Sequence, residues 1–494
     1  MNVGASAWLL LATMLVVGGA AGPALAANGL VAPGNGSVQM GMAGAGTAMA
    51  ADAAATLRNP AAGAWLDSGM VADLAVAVPD GSYRATDVGE ASAFGLFGLK
   101  PGRNTSISGV FPLPVFAYNH RYSDRVAFGI GVTAAGLQAM SRGGSAVLAR
   151  GLPTFEARCK GDFGGGAAWP GTVDVQGFCG NGEAALGVEL AQLLVSTHWA
   201  YRVTPGLSFG IAPIAAAQSL AMHGVGAFAS FSNTPDAVTD NGASYAWGGG
   251  WRAGLLWELT EGIGLGAAYQ SRLRQTRFDD YRGALVGGRV DFAPSLNVGL
   301  QVHVRPGHRV LFDVERIAYG DVKALHQGIE LQRFTDGCFV PRLLTRSLEQ
   351  PPAYDACLGG SSGPGFGWDD VTIYKLGYEG RSGRLSWRAG YSVGGNPATR
   401  ATVLANTFAP ALTDQHATVG LSWQYSPRVR VHWALIYGVR NIVRAPNAIS
   451  AVSPALLGAA PLSFSADADA DDQQVENRFS FWQTQIGLSW SSGR

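Results

Sequence analysis

The side chains best equipped for chemistry are ionisable residues at alternate positions of short apolar segments: Arg252, Arg272, Asp313, Glu315, Lys375, Arg388, Arg430 and His432. Each lies opposite the bulky apolar face of its segment, as Arg430 and His432 do in VRVHWALIY (429–437). The cations Arg388, Arg252, Arg272, Lys375 and Arg430 could anchor an anionic ligand, since a guanidinium holds a carboxylate through two parallel hydrogen bonds. They could equally pair with Asp313, with Glu315 or with the small N-terminal segment, 27–68. A different chemistry would need a nucleophile oriented by a base. Ser422 and His432 have the parity to meet across adjacent segments, but no third orienting residue is evident.

The four cysteines form two local pairs, Cys159 with Cys179 and Cys338 with Cys357. An even count in an exported chain reads as disulfides. Each would close a loop of roughly twenty residues, worth on the order of 3 kcal/mol in the chain-entropy account. No histidine stands by to complete a metal-ligand set, and no motif calls for a cofactor. The acidic run Asp467, Asp469, Asp471 and Asp472 lies in a long connection and reads as a solvated loop, the alternative being a site for a divalent cation.

The elements that carry these residues are strands. Alternation of period two marks a strand with one apolar and one mixed face, and past residue 69 it recurs throughout. Tight turns at 123–124, 204–206, 261–262, 305–308, 381–383 and 426–428 use Pro, Gly, Ser and Asp in the usual way. Long connections, near 80–105, 135–187, 225–245, 275–291, 320–370, 394–415 and 441–477, alternate with them. About fourteen antiparallel strands with loops sorted by length predict an all-β transmembrane barrel: short turns on one rim, long loops on the other. Faces such as Leu296, Val298, Leu300 and Val302, or Leu421, Trp423 and Tyr425, then meet lipid. Composition agrees. Charged residues are 14% of the chain, well below the roughly 25% of soluble domains. Lys+Arg and Asp+Glu balance at 35 each, which gives no reason to expect nucleic acid.

Residues 7–17 (AWLLLATMLVV) and Ala24-Leu25-Ala26 read as a signal peptide over 1–26. Residues 27–68 follow as a small, partly helical unit, and 69–494 as the barrel. Within the smaller unit, 40–63 (MGMAGAGTAMAADAAATLRNPAAG) has almost only small side chains, suited to pack closely against a wall. Inward glycines give such a segment somewhere to lie: Gly254, Gly264, Gly266, Gly299, Gly377, Gly390, Gly420 and Gly487. Glycine inside a strand often marks the close approach of another group. Pro112 and Pro114 lie two apart in the second strand, so both missing N–H groups face one neighbour and leave a seam short of hydrogen bonds. Gly129 and Gly131 in the third strand would allow a bend beside it. Which neighbour loses its partner is left open.

AGAGTAMAADAAATLRNPAAG resembles the N-terminal hatch of the long-chain fatty-acid and aromatic-hydrocarbon transporters of the FadL/TodX type. The likeness includes an Ala-Asp-Ala element at Asp52 and an Asn-Pro-Ala end at Asn59, Pro60 and Ala61. It continues in FPLPVFAYNHRYSDRVAFGIGV (111–132), FAPSLNVGL (292–300), WDDVTIYKLGYEGRSGRLSWRAGYS (368–392) and TVGLSWQYSPRVRVHWALIYGV (418–439). The resemblance implies a fourteen-stranded outer-membrane barrel of a Gram-negative bacterium, plugged by its hatch. It also implies passive carriage of a hydrophobic ligand, either a fatty acid or a hydrocarbon. Ligand would be collected by the long loops and released sideways through a gap in the wall, in a monomer surrounded by outer-membrane lipid and lipopolysaccharide. A hydrophilic porin would leave residues 40–63 without a role, and a lipase-type enzyme would rest on Ser422 and His432 alone.

Overall fold

The computed structural model describes residues 29–86, 98–99, 101–105, 111–142, 145–149, 172–176, 185–345, 352–398, 402–408, 413–447 and 473–493. Among them, fourteen strands pair in sequence and close on themselves. In chain order they are β1 (Gly69–Ala85), β2 (Phe111–Arg121), β3 (Val126–Arg142), β4 (Ala185–Thr204), β5 (Leu207–His223), β6 (Ser244–Thr260) and β7 (Ile263–Gln270). There follow β8 (Ser295–Arg305), β9 (His308–Ile317), β10 (Val371–Ser382), β11 (Leu385–Gly394), β12 (Gln415–Gln424), β13 (Val429–Pro446) and β14 (Gln474–Ser491). Every neighbouring pair is antiparallel, and β14 returns to β1 with Trp490 opposite Met70. Closure removes the open edges that would otherwise present unpaired backbone groups to lipid. No described helix is long and apolar enough to cross a membrane.

The alternation sorts side chains as the sequence predicts. Leu296, Val298, Leu421, Trp423 and Val431 are exposed on the outer wall, while Asn297, Ser422 and His432 between them are buried. The apolar face of 429–437 therefore looks at lipid, its polar face at the lumen. Six turns join strands at one rim. At the other, the described parts of the connections, 224–243, 271–294, 318–345, 352–370, 395–398, 402–408 and 413–414, fold over the mouth and build the largest apolar core, including Phe231, Tyr281, Tyr319, Trp368 and Phe339. Cys338 and Cys357 are disulfide-bonded within this cap. Cys159, Cys179, the segment 1–26 and the acidic run at 467–472 lie outside the described residues.

Candidate functional site

Residues 29–68 lie inside the barrel as one α-helical turn (Gly36–Met40) and two 3₁₀ turns (Ala53–Leu57 and Pro60–Trp65). Asp52 caps the first 3₁₀ turn by accepting from Ala54 N at 3.0 Å, and Asn59 caps the second by accepting from Ala61 N at 3.1 Å. The Asn59 amide also donates to Thr47 O (2.8 Å) and to Leu255 O of β6 (2.9 Å), tying the plug to the wall. Pro60, at the first position of its turn, needs no N–H partner there.

Wall glycines admit this plug. A Cβ on Gly266 would fall 2.2 Å from Thr47 O, on Gly390 2.3 Å from Met42 C, and on Gly254 2.0 Å from the Asn59 side chain. On Gly487 it would overlap Asp73, which accepts from Ser37 N (2.5 Å) and Ser37 Oγ (3.0 Å) of the plug. Gly264 is different: its nearest neighbour would be 3.6 Å away, so the plug does not require a glycine there.

Carboxylates of the wall grip the plug's backbone and its one buried arginine. Asp313 accepts from Gly46 N (3.0 Å) and Thr47 N (2.8 Å). Glu315 stands between Arg58 (3.5 Å) and Lys375 (2.6 Å), and both cations also donate to Pro33 O. On the opposite wall Asn119, Arg202 and Ser208 bind the plug carbonyls of Gly63, Ala64 and Ala61. Sequence parity marks Asp313 and Glu315 as inward but not as plug-holders. Asp73, Asn119, Arg202 and Ser208 were missed; an inward polar side chain on an otherwise apolar strand was the available signal.

This network changes the reading of the five candidate anchors. Arg388 is not free to clamp a ligand: Glu379 (2.6 Å), which also binds Arg309, and Ser422 (2.6 Å) take its guanidinium. Lys375 is fully buried against Glu315. Arg272 lies beyond the end of β7, in the cap, paired with Asp291 at 2.6 Å. Arg430 is exposed at the turn rim and donates to Gln424. Arg252 alone lines a cavity; its only hydrogen bond among the described residues is to Gln270, with no carboxylate in ion-pair range. Ser422 and His432 do meet, at 2.6 Å, but the other ring nitrogen faces Ser489 (2.7 Å), where a triad would place a carboxylate.

The gap candidates separate in the same way. β2 pairs with β1 from Asn119 opposite Gly69 to Phe111 opposite Ala77. Among the described residues its pairing with β3 ends at Val115 opposite Thr133, although β3 runs on along β4 to Arg142. Tyr118 O points across to β3, lying 1.9 Å from where a Cβ on Gly129 would be. By alternation Pro114 and Pro112 turn their missing N–H groups to that same edge. The unpaired seam thus faces the third strand. Gly129 and Gly131 do not mark it: both are paired on each side, and Leu57 of the plug fills the space at Gly131.

Three cavities run in series from the cap to this seam. The first, about 100 Å³ and within the cap, is lined only by apolar side chains and glycine, among them Val225, Phe228, Val286, Ile329, Phe334 and Phe366. Below it a narrow space of about 20 Å³ shares Met222, Leu285 and Phe366 with the first and touches Leu30 of the plug. Leu30 also borders the third, a polar chamber of about 80 Å³ with Arg58, Arg252, Gln192 and Glu315. That chamber reaches Thr133 and Ala135 of β3, where pairing with β2 stops.

Residues 176–305 match the family described as outer membrane protein transport protein (OMPP1/FadL/TodX). Over that stretch the chain resembles the FadL/TodX-type outer-membrane proteins. Its fold is shared with the toluene transporter TodX of Pseudomonas putida (TM-score 0.59, 17% identity, 94% of this chain and 99% of that one). It is also shared with a FadL homologue of Pseudomonas aeruginosa (TM-score 0.55, 14% identity, 94% and 99%). The toluene transporter TbuX of Ralstonia pickettii aligns likewise (TM-score 0.52, 15% identity, 93% and 98%). At these identities the likeness is one of fold. No curated protein sequence matches the chain.

Proposed function

We propose that this FadL/TodX-type barrel carries uncharged hydrophobic small molecules passively across the outer membrane. They would be captured in the cap cavity and released sideways into the bilayer at the seam between β2 and β3. The observation that carries this reading is the series of cavities, apolar at the cap and ending at an edge of β3 that has no partner among the described residues of β2. A side exit fits the physics, because returning a hydrocarbon to water costs about 0.8 kcal/mol per methylene. The lumen below the cap holds the plug rather than an open aqueous path, which speaks against a hydrophilic porin. Ser489, not a carboxylate, faces the second ring nitrogen of His432, so the Ser422–His432 contact lends a hydrolytic reading no support.

The apolar cap cavity is lined by no cation, and Arg333, in the adjoining cap cavity of about 380 Å³, is paired with Glu330 at 2.8 Å, which supports aromatic or aliphatic hydrocarbons over fatty acids. A second reading, an amphipathic acid whose head reaches Arg252 in the polar chamber, rests on that one cation. Uptake of labelled toluene and labelled oleate by cells lacking their own fatty-acid transporter separates the two. Toluene uptake dependent on this protein is expected, with oleate weaker. Uptake of neither, together with salt conductance in a planar bilayer, would overturn the proposal.

A further inference from the structure

The tightest point of the cavity series is built differently from what lies on either side. Around the 20 Å³ space, Trp368 is fixed by its indole N–H donating to Asn406 Oδ1 (3.0 Å) and by the edge of Tyr319 against its ring (centroids 5.2 Å apart). The Tyr319 hydroxyl in turn accepts from Leu30 N at 3.0 Å, which holds the start of the plug against the opening. Tyr319 and Trp368 are buried almost completely. Met222, at the outer end of β5, borders both the cap cavity and the constriction, and it is the only unbranched flexible apolar side chain among their shared residues. Met has three rotatable bonds and adapts to irregular space. A space of about 20 Å³ holds about one water and no hydrocarbon, so every transported molecule must widen it.

We propose that Met222 and Leu30 form the size-selecting constriction of this transporter, Met222 swinging aside while Tyr319 sets how far Leu30 yields. The proposal rests on the reading of the cavities as the substrate path. Small planar or linear hydrocarbons pass by moving Met222 alone, against the fixed wall of Trp368. Bulkier fused-ring hydrocarbons must also displace Leu30 and break its hydrogen bond to Tyr319. The constriction is lined only by apolar side chains, and a dry apolar neck passes no hydrated ion. Selection by size therefore comes without salt leakage.

The test is competition uptake of labelled toluene and labelled phenanthrene in cells carrying the full chain, with the barrel's resistance to unfolding in cold detergent as the folding control. Met222→Ala is expected to raise the phenanthrene-to-toluene ratio by roughly tenfold, the order expected when an overpacked passage is relieved. Leu30→Ala, which leaves every barrel strand untouched, is expected to raise the same ratio. Tyr319→Phe keeps the packing and removes only the hydroxyl, and is expected to speed phenanthrene more than toluene. Met222→Trp is expected to slow both. Folded Met222→Ala and Leu30→Ala proteins that take up toluene at an unchanged ratio would overturn the constriction while leaving hydrophobic transport standing. A parent protein that takes up neither compound would instead remove the transport reading beneath it.

Discussion

Gly264 and Gly266 lie two apart on β7 and face the lumen together, yet the plug treats them differently. A Cβ on Gly266 would sit 2.2 Å from Thr47 O and 2.5 Å from Thr47 C, whereas on Gly264 it would meet nothing closer than Ala48 O at 3.6 Å. The obstacle at Gly266 is backbone, so no rotamer change relieves it. Thr47 must retreat by roughly 1 Å, which loosens two buried hydrogen bonds, Thr47 N to Asp313 (2.8 Å) and the Asn59 amide to Thr47 O (2.8 Å). Overpacking costs about 1–3 kcal/mol, and two weakened bonds, one to a carboxylate, add about 2–4 kcal/mol. Gly266→Ala should therefore weaken seating of the plug by about 3–7 kcal/mol, or two to five powers of ten in its equilibrium. Gly264→Ala should be neutral, or stabilise by a few tenths because alanine loses less entropy in a strand. Single-channel conductance in planar bilayers reads plug seating directly. Long-lived openings are expected for Gly266→Ala and a closed, parent-like trace for Gly264→Ala. Equal behaviour of the two variants would refute the claim that the wall glycines exist to admit the plug.

Asp313→Asn keeps the shape of the acceptor but removes its charge from the bonds to Gly46 and Thr47, and about 2 kcal/mol of looser seating is expected; hydrogen exchange of those two amides would report it. Replacing Cys338 and Cys357 together by Ser removes a cross-link of sequence separation 19, worth about 3 kcal/mol in the chain-entropy account. Uptake at low toluene concentration should fall while the barrel's detergent-resistant band is retained. Asp240, in the cap, resists ionisation through burial, but hydrogen bonds from His223, Thr239 and Gly224 outweigh this and hold its carboxyl below the usual range. A lowered pKa means stability present above the ordinary carboxylate pKa and lost as pH falls through the native value. Cap unfolding followed by tryptophan fluorescence should therefore become easier below about pH 4, and less steeply so in Asp240→Asn. Arg252→Ala should leave toluene uptake unchanged and lower any oleate uptake; an equal loss of both would place Arg252 in the plug's support instead.

The barrel was legible because its two signals, alternation and loop length, are local. A strand facing lipid shows its face in five residues, as 429–437 does, and turn chemistry marks one rim. The plug was legible through composition, since small side chains over 40–63 can only pack against something else's wall. The wall's matching glycines were visible by parity, although parity could not tell Gly264 from Gly266. What sequence could not supply was partner choice between distant elements. Arg388 reads as an anchor until Glu379 and Ser422 appear beside it, and Arg272 reads as luminal until β7 ends two residues earlier. The cavities of the cap were hidden for the same reason: Met222, Leu285, Phe366 and Leu30 belong to four separate stretches, and nothing periodic links them.

The most direct test of lateral release is to close the seam. Leu113 of β2 and Ala135 of β3 would face each other if their pairing continued past Val115 and Thr133. In a Leu113→Cys, Ala135→Cys protein a short thiol cross-linker, its attachment verified by mass spectrometry, should abolish toluene uptake while toluene still binds the cap. The parent protein treated identically should transport as before. Undiminished uptake through a barrel whose seam is shown to be cross-linked would contradict the account.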